Sequence, residues 1–194
     1  MEVKIRVATK NDAAALLEIY SYYVKNTAIS FEYEVPSLLE FENRICTTLQ
    51  NYPYLIAEID GKIAGYVYVS RFGARAAYDW VAETSIYIHK DFHRKGLGKL
   101  LYQKLEEILS KQNVTNLYAG IADPIENEDE YLTRNSERFH SATGYKTVAR
   151  FSSCGYKFGR WYSLIYMEKI ISEHKTKMAN FIPFSKINTK DFLD

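Results

Sequence analysis

The chain has 194 residues, 47% hydrophobic and 25% charged, the proportions of one globular domain large enough to bury its own core. A formal net charge of +1 gives no global field to draw nucleic acid or an anionic membrane, so any basic patch has to be local. No run of about 18 uncharged apolar residues and no apolar stretch behind the amino terminus occurs, so neither a helical membrane span nor a signal peptide is expected, and the protein reads as cytoplasmic. Cys46 and Cys154 are too few for a disulfide framework and lack metal-ligand spacing; they are expected as isolated buried thiols, with no metal site. The 17 tyrosines can fill a core or line a pocket, and composition does not separate the two.

Glu2 to Val7 alternates charged with β-branched residues and predicts a half-buried strand. Thr9 to Asp12 supplies caps for a helix running to about Lys25, with Ala13, Leu16, Leu17, Tyr20 and Val24 at helical spacing. Phe31 to Val35 is a short extended or loop piece, and Pro36 and Ser37 open a second helix with Leu38, Phe41 and Ile45 along one face. Tyr54 to Ile59 and Lys62 to Val69 are strand-like runs joined by Asp60-Gly61, a strong hairpin signal. After the small, polar stretch Arg71 to Ala77 comes a third run, Tyr78 to Ile88.

A helix beginning near Gly98 carries Leu97, Leu101, Leu105 and Ile108 in phase and ends near Gln112. Leu117 to Ala122 predicts a strand, Asp123 to Glu130 an acidic loop, and Thr133 to Thr143 a helix stopped by Gly144. Lys146 to Ile170 holds two strands turning between Gly155 and Gly159. Periodicity ends at Ser172, which divides the chain into a domain over 1–171 and a tail over 172–194 that either docks or stays mobile. The order is neither strict strand–helix alternation nor all strand, and predicts an α+β domain around one mixed sheet.

The most informative segment runs from Ile86 to Lys99, where a strand ends near Ile88 and a helix begins near Gly98. Free N–H groups in a helix's first turn, aided by its dipole, form an anion site, and glycines let the backbone come close. Arg94, Lys95 and Lys99 add positive charge there. Leu100 follows Lys99 where a Walker loop needs Ser or Thr, and Leu101 falls where the dinucleotide fingerprint needs its third glycine. Both nucleotide loops are excluded.

His93, Arg94, Lys95, Gly96, Leu97 and Gly98 do resemble the signature of the GNAT superfamily of acyltransferases: Arg or Gln, two residues, Gly, one residue, then Gly or Ala. Histidine departs from the first position, which weakens one phosphate contact. The resemblance implies acetyl-CoA as co-substrate, its pyrophosphate on the turn from His93 to Lys99 and its pantetheine arm along the backbone of Ile86, Tyr87 and Ile88. A closer likeness is to the phosphinothricin acetyltransferase-like branch, through Arg75, Tyr78 and Glu83 and through the helix pattern Ser136, Phe139, His140, Gly144 and Tyr145.

A carboxylate at Glu83, behind Val81 and Ala82 in a strand, is expensive unless solvated or functional. The likeness makes it the general base that takes the proton of an attacking amine. It makes His140 a second catalytic group, to protonate the departing thiolate or help carry the amine's proton, although a satisfied helix histidine is the alternative. Arg75 would pair with an acidic group of the acceptor, with Tyr78 beside it and Phe31 in a loop that either borders the acceptor pocket or packs as core. The branch's pantetheine-contacting Asn aligns with Thr133, which leaves Asn135 and Ser136 as candidates. Ser163 stands where relatives carry Asp after the turn Lys157 to Trp161.

The resemblance thus implies a GNAT fold, with a mixed, mostly antiparallel sheet flanked by helices on both faces. It implies an N-acetyltransferase acting on the primary amine of a small amino-acid-like acceptor, of phosphinothricin or methionine sulfoximine type, by direct attack in a ternary complex, since no cysteine sits beside a base. A homodimer is expected, and no nucleic-acid or membrane partner. Two other readings stay open: acetylation of a larger amine such as an aminoglycoside or protein N-terminus, which the acidic stretch Glu126 to Glu130 would suit, and a CoA-binding sensor without turnover.

Overall fold

The structure, a computed structural model, describes residues 2–189 and Leu193. Seven strands form one sheet: β1 (Val3–Val7), β2 (Tyr54–Ile59), β3 (Lys62–Arg71), β4 (Val81–Ile88), β5 (Asn116–Pro124), β6 (Lys146–Lys157) and β7 (Arg160–Ile170). Their spatial order is β1-β2-β3-β4-β5-β7-β6, and of the neighbouring pairs only β4 and β5 run parallel. Helices α1 (Ala13–Asn26), α2 (Leu38–Asn51), α3 (Leu97–Lys111) and α4 (Asn135–Ala142) complete the α+β fold. Among the described residues no helix is long and apolar enough to cross a membrane.

Local chemistry sets these boundaries. Ser37 caps α2 by accepting from the Glu40 amide, and Gly144, at φ +97°, follows the end of α4. Asp60 and Gly61 both take positive φ, as the two-residue turn between β2 and β3 demands. The turn between β6 and β7 narrows to Phe158 and Gly159, again both at positive φ.

The sheet separates two cores. On one face α3 packs Leu97, Leu101, Leu105 and Ile108 against Leu55, Val67, Val69, Ala82 and Leu117. On the other, α1 and α2 cover Tyr54, Ile56 and Tyr66 with Leu16, Tyr20, Tyr23, Phe41 and Ile45. Tyr20, Tyr54, Tyr66 and Tyr87 sit ring against ring on this second face, so much of the tyrosine excess is core. The cysteines depart from expectation, since both are exposed. Cys46 follows the buried Ile45 on α2, and Cys154 lies where β6 bulges between Phe151 and Gly155.

β4 and β5 pair at only three positions, Val81 with Asn116, Ala82 with Leu117 and Glu83 with Tyr118. Beyond Glu83, β4 continues against β3 and β5 continues against β7. A wedge therefore opens along Thr84 to Ile88. The amino end of α3 meets α4 beside it, where the Phe139 ring lies so close to Gly98 that a Cβ would come within 2.8 Å.

The segment beyond Ser172 docks on the α3 face. The Trp80 indole donates to Ala179 O at 2.7 Å, and the buried Gln112 amide bridges Asn51 O and Ile182 O, both at 2.7 Å. Phe181 meets the Tyr52 ring, and Phe184 is buried in the main core. Replacing Phe184 by Ala should lower the unfolding free energy by about 3 kcal/mol, read from urea denaturation. An unchanged midpoint would mean that this segment adds nothing to stability.

Candidate active site

Successive strand residues point to opposite faces, so Glu83 lies on the α1/α2 face and Thr84 on the α3 face. The Glu83 carboxylate leans across to β5, where a Cβ on Gly120 would come within 3.2 Å of its Oε1. The Tyr166 hydroxyl lies 3.5 Å from the same oxygen. Burial pushes the carboxyl above its ordinary value, against a smaller lowering by Tyr166. Phe72 stacks on Tyr118 at 4.7 Å and sets its edge to Tyr166, while Phe151 approaches Tyr166 from β6. Sequence reasoning missed Phe72, Gly120, Phe151 and Tyr166. A glycine inside a strand was the available signal for close approach.

Arg75 precedes the short turn Ala76–Tyr78, and Tyr78 packs on Phe72 at 5.7 Å. The Arg75 guanidinium is exposed and has no ion-pair partner among the described residues. Phe31 packs with Ala122 and Tyr162. Ala122 lies two residues along β5 from Gly120, on the same sheet face and about 7 Å away at strand spacing. Glu83, Tyr78 and Phe31 thus share one face with the aromatic rings between them.

The glycine turn has the geometry of an anion site. Arg94 and Gly96 take φ of +61° and +78°, nothing lies within 4 Å of a Cβ built on Gly96, and the first helical bond is Leu100 N–H to Gly96 O. The amides of Leu97, Gly98 and Lys99 therefore have no intrahelical acceptor. Arg94 and Lys99 are exposed beside them, and Lys95 lies over the Phe92 ring. Gly98 admits Phe139 of α4, so its missing Cβ serves packing as well as any ligand. His93 turns away from this site. Its Nε2–H is shared between Ile88 O at 3.0 Å and the Tyr23 hydroxyl at 2.9 Å, and Tyr23 itself donates to Ile88 O.

Three strand residues were expected to offer their backbone, and the ladder divides them. His89 N–H bonds Ala64 O on β3, and Trp80 O accepts from Thr115, just before β5, and from Asn116 at its start. By the alternation of strand edges, Tyr87 bonds toward β3, while Ile86 and Ile88 direct their amides into the wedge. Tyr87 leaves the predicted set, and its ring is core between Tyr20 and Tyr66. Asn135 begins α4 with its side-chain Oδ1 accepting from the Arg138 guanidinium, and Ser136 O accepts from His140.

His140 is 3% exposed, on the face opposite Glu83. A carbonyl can only accept, so Nδ1–H donates to Ser136 O at 2.7 Å, and Nε2 accepts from the Tyr102 hydroxyl at 2.9 Å. Tyr102 in turn meets Thr84 Oγ1 at 3.0 Å. Burial lowers the ring's pKa to about 4. The structure does not bring His140 and Glu83 onto one face, and both ring nitrogens are engaged within the protein.

The acidic stretch also differs from its expected part. Glu128 pairs with Arg138, and Asp129 and Glu130 both pair with Arg160, so these carboxylates are neutralised locally. Among the described residues no cluster of three or more His, Cys, Asp or Glu could hold a metal ion.

Residues 5–166 match the sequence profile described as an Acetyltransferase (GNAT) domain. The chain is 31% identical to a phosphinothricin N-acetyltransferase of Streptomyces viridochromogenes over 167 residues, 86% of this chain and 87% of that one. It is 30% identical to an L-methionine sulfoximine/L-methionine sulfone acetyltransferase of Salmonella typhimurium, covering 88% and 95% of the two chains. Among solved structures it resembles a GNAT superfamily phosphinothricin acetyltransferase from Sinorhizobium meliloti in complex with AcCoA, at TM-score 0.84 and 29% identity over 95% and 98% of the chains.

The buried His140 carries a stability prediction. Its pKa falls from 6.5 unfolded to about 4 folded, so in that window the unfolded chain binds a proton that the folded chain refuses. Its contribution is complete above pH 6.5 and should disappear as pH falls to about 4, by up to about 3 kcal/mol. Urea unfolding of the protein and of His140→Gln at several pH values isolates this slope. Parallel pH dependences would show that His140 is not buried as a neutral ring.

Proposed function

The chain belongs to the acetyltransferase (GNAT) domain family, and on that premise we propose that it moves the acetyl group of acetyl-CoA to the primary amine of a small, anionic, amino-acid-like acceptor. The observation that carries this reading is Glu83, a half-buried carboxylate of raised basicity on the face where the strands part, with an Arg75 that lacks an ion-pair partner opening the turn whose Tyr78 packs on Phe72. Acceptors of the phosphinothricin and methionine sulfoximine type, as in the relatives' names, combine a primary amine with an acidic group and match this pair.

The residues present fit the co-substrate. Three unbonded helix amides with Arg94 and Lys99 suit a pyrophosphate, and the wedge edge at Ile86 and Ile88 suits an amide-bearing arm. Acetyl-CoA supplies an activated thioester carbonyl. Glu83 removes the proton of the attacking amine, directly or through water, and as the C–N bond forms the C–S bond breaks, the sulfur leaving as a thiolate that takes its proton from solvent. The amide of Ile86 or Ile88 donates to the carbonyl oxygen as charge gathers there. Arg75 binds the acceptor's acidic group with two parallel N–H donors, and Tyr78 and Phe72 wall the pocket. His140 acts from behind β4, fixing Tyr102 and Thr84, rather than as a proton donor in the cleft.

A larger cationic acceptor loses most of its support, because three of the four carboxylates in the acidic stretch, Glu128, Asp129 and Glu130, are already paired with arginines. A sensor without turnover leaves the half-buried Glu83, for whose carboxylate Gly120 makes room, without a task. We assign catalysis to residues 1–171 and a stabilising part to 172–194. We further propose a cytoplasmic homodimer through the sheet edge at β6, whose Val148, Phe151 and Tyr156 are exposed together with Trp161 on β7. Sedimentation of the protein would return a single-chain mass if that part is wrong.

Glu83→Gln should lower kcat at least about 100-fold while acetyl-CoA affinity, read by calorimetry, stays within error. A raised carboxyl pKa also moves the acid limb of the kcat profile above pH 4.5, and the variant should lack that limb. Undiminished turnover would remove Glu83 as the base. Arg75→Met should raise KM for amino acids about tenfold or more, the worth of a charge-assisted pair, and spare their amides. Equal losses for acids and amides in a thiol-release assay would overturn the anionic-acceptor reading.

A further inference from the structure

Lys157 has no part in the chemistry above, yet it is 3% exposed on β6. A buried ammonium requires compensation, and this one has all three donors engaged. Nζ donates to Val24 O at 2.8 Å, Thr27 O at 2.9 Å and Ser30 O at 2.6 Å. The first two belong to the carboxyl end of α1, where helix carbonyls lack partners and the dipole is negative. The third opens the loop that carries Phe31 and Glu32. Burial lowers the Lys157 pKa, and the facing charge that opposes this is Glu32, itself paired with Arg44 at 2.9 Å.

The same hairpin holds this loop at two more points. Phe31 lies on Gly155, where a Cβ would come within 2.4 Å of the ring, and the Tyr33 hydroxyl donates to Tyr156 O. Gly155, Tyr156 and Lys157 thus meet Phe31, Tyr33 and the end of α1 from across the sheet. Neither the α3 core nor the glycine turn takes part in these contacts.

We propose that Lys157 is a positioning residue for the acceptor: its ammonium fixes the α1–α2 loop so that Phe31 closes the pocket along β5 from Glu83. The inference rests on the reading of this face as the acceptor site. A point charge satisfied by three carbonyls converging from different peptide units suits the compact lysine head and not a planar guanidinium. The loop has no strand pairing of its own, so its rigidity depends on such outside ties.

Lys157→Met keeps the stem and removes the charge. It should speed amide exchange in residues 27–35 and raise the acceptor KM about tenfold, while acetyl-CoA affinity by calorimetry and kcat change less than twofold. Gly155→Ala leaves Lys157 in place and displaces Phe31, so it should reproduce the acceptor effect even if the lysine variant folds poorly. Unchanged exchange in Lys157→Met would overturn the anchoring. Faster exchange with an unchanged acceptor KM would overturn the acceptor role of the loop. Equal losses for acceptor and acetyl-CoA would reduce Lys157 to a general stabiliser and overturn the proposal. The exchange readout needs no acceptor, so it stands even if the proposed substrates are not turned over.

Discussion

The structure depends on a seam of three residues. β4 is committed to β3 over seven residues and β5 to β7 over nine, so each half-sheet is antiparallel within itself. They join only through Val81–Glu83 and Asn116–Tyr118, with Trp80 O accepting from Thr115 and Asn116 at the root. Each half keeps its own twist, so strands joined at one end diverge at the other. The edge exposed by that divergence bears N–H and C=O groups that water or a ligand has to satisfy. A chain of amides such as pantetheine would suit that edge, with the amino end of α3 where its phosphates would end.

The seam also decides what each titratable group can do. Glu83 is its last residue on the α1/α2 face, where Gly120 leaves room for the carboxylate and Tyr166 stands at the edge of hydrogen-bonding distance. His140 lies behind the adjacent Thr84, closed in by Tyr102, Phe139 and Tyr145. Burial acts on both by disfavouring the charged form, with opposite results for function. It makes the carboxylate a stronger base and the imidazole a weaker one. Proximity in the sequence pattern therefore does not translate into a shared site, because adjacent strand residues report to different faces.

Much of this was legible in the chain. Asp60-Gly61, Ser37 and Gly144 fixed their boundaries through turn and capping chemistry, which is local, and the glycine turn was readable because its spacing, charge and helix onset coincide. What resisted were properties set by distant partners. That Tyr87 bonds β3 while Ile86 and Ile88 do not depends on ladder phase, which no local pattern records. His93 was expected to face a phosphate and instead joins Tyr23, seventy residues away. Residue type alone places the cysteines in the interior, yet both are exposed. The acidic stretch suggested a cationic ligand only while its arginine partners, Arg138 and Arg160, were unseen.

Pairing also bears on the polarity of what binds. The chain has nine arginines, and among the described residues all but two have a carboxylate within ion-pair distance. Surface pairs of this kind add little stability, but they neutralise charge that would otherwise attract anions indiscriminately. Arg94 and Arg75 are the two left over. One stands on the glycine turn, and the other opens the turn whose Tyr78 packs on Phe72. An acetyl donor carrying phosphates and an acceptor carrying an acid would each meet an uncommitted guanidinium, and the carboxylate between them would face the amine. The distribution of unpaired guanidinium groups, more than net charge, is therefore what would order the two substrates along such a cleft.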